Sequence, residues 1–227
     1  MSETPLALIL SGSGRYADPW HPYPETTAAL TGLARDAGWD VSVDEDIDAR
    51  LADGLDGIDL LIVNAGDPRG RVAEDHALIE KGRESLMTGF DRGMSLLGIH
   101  AAASSLGDYP QYRKALGGAW IPDHSWHPPF GEVHVRPCDD QIVEGLGNFT
   151  VLDERYTDLV TDPDIEPLAE TWDDEGKHVL AWFHQYGKSL VVYDALGHDV
   201  RSYDSEGHKD FLRRILCWLL PRHNFDD

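Results

Sequence analysis

Four short stretches of the chain hold residue types that can do chemistry together. In Ser95-Leu96-Leu97-Gly98-Ile99-His100-Ala101-Ala102-Ala103-Ser104-Ser105 an apolar run ends, one polar residue follows, and small residues come next. That pattern turns a buried strand sharply into a helix and holds one side chain, here His100, beside the helix N-terminus. Gly98, Ala101 and Ala102 are small enough for the backbone to pack that closely. The other three stretches are a loop with His124 and His127, Asp153-Glu154-Arg155-Tyr156 at a strand end, and Gly197-His198-Asp199 after the last core strand. Histidine titrates near neutrality and a buried carboxylate can be tuned upward, so His100 and Glu154 can form an acid/base pair. Tyr156 could orient or donate beside them, or equally serve as a core tyrosine with a bonded hydroxyl.

The elements that must position these residues alternate. Leu6-Ala7-Leu8-Ile9-Leu10, Trp39 to Val43, Asp59 to Asn64 and Ser95 to Ile99 read as strands. Between them, helices are predicted from near Glu25 to Gly38, within Asp46 to Leu55, and over Glu74 to Arg92. Strands alternating with helices predict a parallel sheet covered on both faces, with ligands bound beyond the carboxyl ends of the strands. His100 falls at that edge. The second half holds predicted strands at Gly131 to Arg136 and Phe149 to Tyr156, then a hairpin of His178 to Phe183 and Ser189 to Tyr193 turned at Tyr186-Gly187-Lys188. A last helix is predicted from Glu206 to Leu220, ended by Pro221. No repeat or linker interrupts the 227 residues, so one domain over 1–227 is expected.

Composition excludes several classes. With Asp+Glu 41 against Lys+Arg 19 the formal net charge is -22, a field that repels nucleic acid and anionic lipid. No run approaches the roughly 18 apolar residues of a membrane span, and the N-terminus carries no signal pattern, so a cytoplasmic protein is expected. Cys138 and Cys217 alone cannot build a disulfide framework or a multi-cysteine metal site. Cys217 is expected in the apolar stripe of the last helix. Gly12-Ser13-Gly14-Arg15-Tyr16-Ala17 fits the dinucleotide fingerprint, but Pro19, Pro22 and Pro24 stand where its helix should open. A pocket-lining loop is the better reading, with Arg15 and Tyr16 as substrate contacts.

The order of the motifs Gly98-Ile99-His100-Ala101-Ala102, Leu116-Gly117-Gly118-Ala119-Trp120 leading to His124, Asp153-Glu154-Arg155-Tyr156, Trp182 with Tyr186-Gly187-Lys188, and Leu196-Gly197-His198-Asp199 resembles the ThuA-like, or trehalose-utilisation, family. The resemblance covers roughly residues 5 to 220 and implies the class I glutamine amidotransferase-like fold, a flavodoxin-like three-layer α/β sandwich with a mostly parallel central sheet. Amidotransferases carry a nucleophilic cysteine at the elbow, where this chain has His100. Thiolate chemistry is lost, and with it glutamine hydrolysis. The likeness also places His198 near the position of the amidotransferase histidine.

The resemblance implies sugar utilisation, with trehalose, a related disaccharide or a keto-sugar as substrate; the reaction type is open, since hydrolysis, lyase cleavage or isomerisation would each use an acid/base pair or a metal at His100, Glu154 and His198. With His124 or His127 brought over by its loop, His100, His198 and Glu154 form a cluster suited to a divalent ion such as zinc, with His100, His124 and His198 as the ligand set. Trp120, Trp126, Phe130 and Tyr109 could stack on a sugar ring while Asp123 or Asp199 accepts from hydroxyls. The same aromatics could staple the loop to the domain or make a homodimer contact. A catalytically silent module that binds a sugar or a partner protein is the competing expectation, since fold alone does not imply function.

Overall fold

The computed structural model describes residues 4–66, 75–174 and 176–221. In chain order the elements are β1 (Leu6–Ser11), α1 (Tyr23–Asp36), β2 (Asp40–Asp44), α2 (Ile47–Ala52), β3 (Leu60–Asn64), α3 (His76–Arg92), β4 (Ser95–Ile99) and α4 (Pro110–Leu116). There follow β5 (Gly118–Ala119), β6 (Gly131–Pro137), β7 (Phe149–Asp153), β8 (Val160–Thr161), β9 (Glu166–Asp173), β10 (Gly176–Tyr186), β11 (Ser189–Asp194) and α5 (Glu206–Trp218).

Nine strands form one sheet in the order β2-β1-β3-β4-β11-β10-β9-β6-β7. The first five are mutually parallel. In β1, β3, β4 and β11 the side chains alternate between two buried faces, which is why these strands read as largely apolar runs, whereas the edge strand β2 alternates and leaves most of its residues exposed. Ala7, Ile9, Leu60 and Ile62 point toward α1 and α5, packing with Leu30, Leu33, Phe211 and Ile215. Leu8, Leu10, Leu61 and Val63 point toward α2, α3 and α4, packing with Leu51, Leu86, Phe90 and Leu116. The result is a three-layer α/β sandwich. Among the described residues no helix is long and apolar enough to cross a membrane.

The remaining strands, β10, β9, β6 and β7, are each antiparallel to the neighbour before them. Four reversals leave β7 running in the direction of β11. The carboxyl end of β7 therefore arrives at the same sheet edge as the ends of β1, β4 and β11. The predicted strand over Phe149 to Tyr156 stops at Asp153, which frees Glu154 and Tyr156 to face that edge.

Several local expectations shift. The helix α1 begins at Tyr23, after Pro22 as N-cap, because Pro24 is well placed in a first helical turn. Asp75 caps α3 by accepting from the N–H groups of Ala77 and Leu78, and Glu74, the predicted start, lies outside the described residues. The strand β9 was not legible, because its buried run is flanked by acidic and proline residues. Cys217 is exposed, on the side of α5 opposite Ile215 and Leu219, so it is not part of the apolar stripe. Burial pushes the Cys138 thiol up to about 11.

A buried ion pair ties β11 to α5. His208 Nε2 donates to Asp194 Oδ2 at 2.8 Å, and its Nδ1 donates to the Ser202 carbonyl at 3.0 Å. With an acceptor at each nitrogen the ring is held as imidazolium. Burial opposes that charge, but Asp194 and Asp153 outweigh it and raise the His208 pKa above its ordinary value. A histidine whose pKa rises on folding contributes stability that is fully present below its unfolded value of about 6.5 and is lost as pH climbs through the folded value. His208→Gln is therefore expected to cost about 3–5 kcal/mol at pH 5.5 by leaving Asp194 buried and unpaired. Denaturant unfolding should show a smaller deficit at pH 9; an equal deficit at both would mean that His208 is neutral in the fold.

Candidate active site at the carboxyl edge of the sheet

The elbow is a point of backbone strain. Ile99 is extended, and His100 then takes φ 45, in the left-handed region, before the tight turn His100–Ser104. A non-glycine residue there costs about 1–3 kcal/mol and persists only when its surroundings determine it. They do so on three sides. His100 Nδ1 donates to the Ala195 carbonyl at 2.8 Å, and the Tyr193 hydroxyl donates to the His100 carbonyl at 2.8 Å. The imidazole lies against Tyr156, with ring centroids 4.0 Å apart. Close packing explains Gly98, where a Cβ would stand 2.7 Å from Leu116 Cδ1. Gly197 answers across the edge: at φ +108, a Cβ would stand 2.7 Å from Ile99 Cγ2.

Asp153 joins two loops. Its carboxylate accepts from the backbone N–H groups of Glu154 at 2.7 Å, Gly197 at 2.8 Å and His198 at 3.2 Å. The carboxylate is buried, and burial raises its pKa against the pull of these donors. This clamp sets Glu154 beside His198. Glu154 Oε1 lies 2.7 Å from His127 Nδ1, and Oε2 lies 2.9 Å from His198 Nδ1. Both nitrogens donate, so the carboxylate sits between two imidazoles. His198 Nδ1 also lies 3.4 Å from His100 Nε2.

The third ring in this cluster is His21, from the proline-rich loop after β1. Its ring centroid lies 5.1 Å from that of His100 and 4.8 Å from that of His198. Burial, and then the neighbouring His21, hold the His100 pKa well below its ordinary value and also lower that of His198. A cavity of about 460 Å³ opens over the cluster, lined by Trp20, His21, Trp120, His127, Glu154, Tyr156 and His198. That volume lies within the roughly 300–1,000 Å³ of small-molecule sites. Trp120 packs on Tyr156, with centroids 4.4 Å apart, to form one wall.

The structure brings together His100, Glu154, His198, Tyr156 and Trp120, and separates the other residues expected at the site. His124 is exposed and outside the histidine cluster, because the Ile121–Ser125 turn points it to solvent; His21 stands in its place. Arg15 pairs with Asp48 at 2.6 Å and Asp108 at 2.7 Å, and the Tyr16 hydroxyl donates to Asp48, so both pin the β1 loop to α2 and neither lines the cavity. Gly14–Tyr16 forms only a short turn and α1 starts at Tyr23, so the fingerprint glycines lack their helix.

Trp126 donates to Asp158 at 2.7 Å and staples its loop to Thr157. Asp123 is exposed, at φ 65. Asp199 caps the Val200–Asp204 turn and pairs with Arg201, which stacks on Phe130 3.6 Å from its centroid. The missed residues are Asp18, Trp20 and His21. Their only sequence signal is a histidine and an aspartate among prolines directly after the first strand.

A parallel strand that ends in a tight elbow at the carboxyl edge of the sheet, with a histidine facing it from the loop after the last parallel strand, is the arrangement of an α/β protein with the glutamine amidotransferase-like fold. The chain is similar to a glutamine amidotransferase from Thermotoga maritima, at 11% identity and TM-score 0.59, covering 97% of this chain and 100% of that one. It is also similar to ThuA-like proteins from Parabacteroides merdae (14% identity, TM-score 0.76, 96% and 90% covered) and Bacteroides uniformis (17% identity, TM-score 0.74, 99% and 95% covered). At these identities the likeness shows the fold. The family is shown by sequence: the chain belongs to the ThuA family, described as trehalose utilisation, whose model matches residues 7–219. No curated protein matches the sequence.

The Asp153 clamp can be checked directly. Asp153→Asn turns an amide N–H₂ toward at least one backbone N–H that now has an acceptor. A loss of about 1–3 kcal/mol in denaturant unfolding is expected.

Proposed function

We propose that the chain is a cytoplasmic enzyme of small-carbohydrate utilisation, acting on trehalose, a related disaccharide or a keto-sugar by proton transfer at Glu154. The observation that carries this reading is Glu154 held at 2.7 and 2.9 Å between His127 and His198 in an aromatic-walled cavity. A carboxylate between two imidazoles can take a proton from a sugar hydroxyl, or from carbon beside a carbonyl, and return it through either ring. His100, in the place of the amidotransferase cysteine, offers no thiolate, so the chemistry is acid/base and not glutamine hydrolysis. Trp20, Trp120 and Tyr156 supply apolar faces for the C–H side of a sugar ring. The ThuA family's description as trehalose utilisation supports the substrate class. Two free cysteines fit a reducing compartment.

The test is a screen of trehalose, other disaccharides and their keto derivatives for a rise in Tm and for conversion. Glu154→Gln should keep the sugar-dependent rise in Tm and lose about 100- to 10,000-fold in turnover. A sugar that binds the wild type without ever being converted would make the chain a binding module, and no response to any sugar would overturn the substrate class.

A further inference from the structure

We propose that His21, His100 and His198 form a binding site for one divalent transition-metal ion of the zinc, nickel or cobalt type. The three rings come from three loops at one sheet edge, and the nitrogens they offer lie within 4.8 Å of one another. None of the three pairs is stacked; the interplanar angles are 61°, 65° and 82°.

Hydrogen bonds choose which nitrogens are available. His100 Nδ1 donates to the Ala195 carbonyl, which leaves the Nε2 lone pair facing the centre. His21 Nδ1 lies 2.8 Å from each Asp18 carboxylate oxygen, which leaves Nε2 as the lone pair. That His21 Nε2 is buried and has no hydrogen-bond partner. A buried polar atom left unpaired is destabilising, and an ion accepting its lone pair removes that cost.

Metal-binding histidines commonly give their other ring N–H to a carboxylate or a backbone carbonyl, and both kinds of partner are present here. Asp18 is itself fixed, accepting from the Tyr23 hydroxyl at 2.9 Å and the Trp20 N–H at 2.9 Å. His100 Nε2 and His198 Nδ1 are 3.4 Å apart, the edge of a tetrahedron with metal–nitrogen bonds of about 2.0–2.1 Å. Glu154 Oε2 stands 2.9 Å from His198 Nδ1, so the ion displaces the proton those two groups share, and the carboxylate remains at hand beside it. His21, Glu154 and His198 also line the cavity, so the site is reachable by a small molecule. Imidazole donors select zinc, nickel or cobalt over magnesium or calcium, which prefer oxygen.

The experiment needs no sugar, so its failure is separate from failure of the carbohydrate reading. Untagged protein is stripped with chelator and titrated with zinc, nickel and cobalt salts, with elemental mass spectrometry giving stoichiometry and cobalt absorption giving coordination geometry. About one equivalent per chain is expected. His21→Gln and His100→Ala should each weaken binding at least tenfold, and Asp18→Asn should weaken it about 10- to 100-fold through the outer partner. His124→Ala should leave it unchanged. Far-UV circular dichroism verifies folding, and His21→Gln, on the cavity wall, stands in if the elbow variant fails to fold. No micromolar binding of any of the three metals by the wild type would overturn the site. So would binding undiminished in folded His21→Gln, or binding lost in His124→Ala.

Discussion

The hydrogen bond from His100 Nδ1 to the Ala195 carbonyl is the constraint on which the site depends. It joins the turn after β4 to the chain leaving β11, the two parallel strands that meet at the centre of the sheet. It also sets the tautomer of the imidazole and offsets part of the strain of a left-handed residue at a strand end. Tyr193, the second-last residue of β11, holds the carbonyl of the same residue. One side chain is thus fixed at both its backbone and its ring by the neighbouring strand.

From this point the edge is assembled by a second fixed group. Asp153 ends β7, at the far side of the sheet in strand order, yet its carboxylate takes the N–H groups of Gly197 and His198. The antiparallel extension gives β7 the same direction as β11, and so delivers Glu154 to the histidines. The antiparallel strands are therefore part of the chemistry of the site as well as of the sheet. The aromatic wall has the same origin, since Tyr156 lies three residues beyond Asp153 and stacks on His100.

A His-for-Cys change at the elbow alters what the fold can do without altering how it is built. The small residues around His100 still allow the tight turn, and the cavity still forms over it. What changes is charge and donor character: a soft nucleophile gives way to a ring whose outward nitrogen carries a lone pair. Burial, and then the charge that His21 would carry beside them, lower the pKa values of His100 and His198 below that of an ordinary imidazole.

Much of this was legible in the sequence, and the boundary has a physical cause. Apolar runs buried on both faces, the elbow at His100, the acidic strand end at Glu154 and the Gly197-His198 turn are local patterns, set by burial and backbone geometry within a few residues. Composition likewise set the expectation against nucleic acid, through a net charge of -22, and against a cysteine-built centre, through two cysteines. Which loops meet over the sheet is not local. His124 and His21 are both histidines in proline-rich loops; only tertiary structure turned the first to solvent and the second, through its bond to Asp18, to the cluster. Arg15 and Tyr16 sit close to the edge in sequence but were drawn away by Asp48, a residue thirty-odd positions later, because a half-buried carboxylate takes the nearest donors available to it.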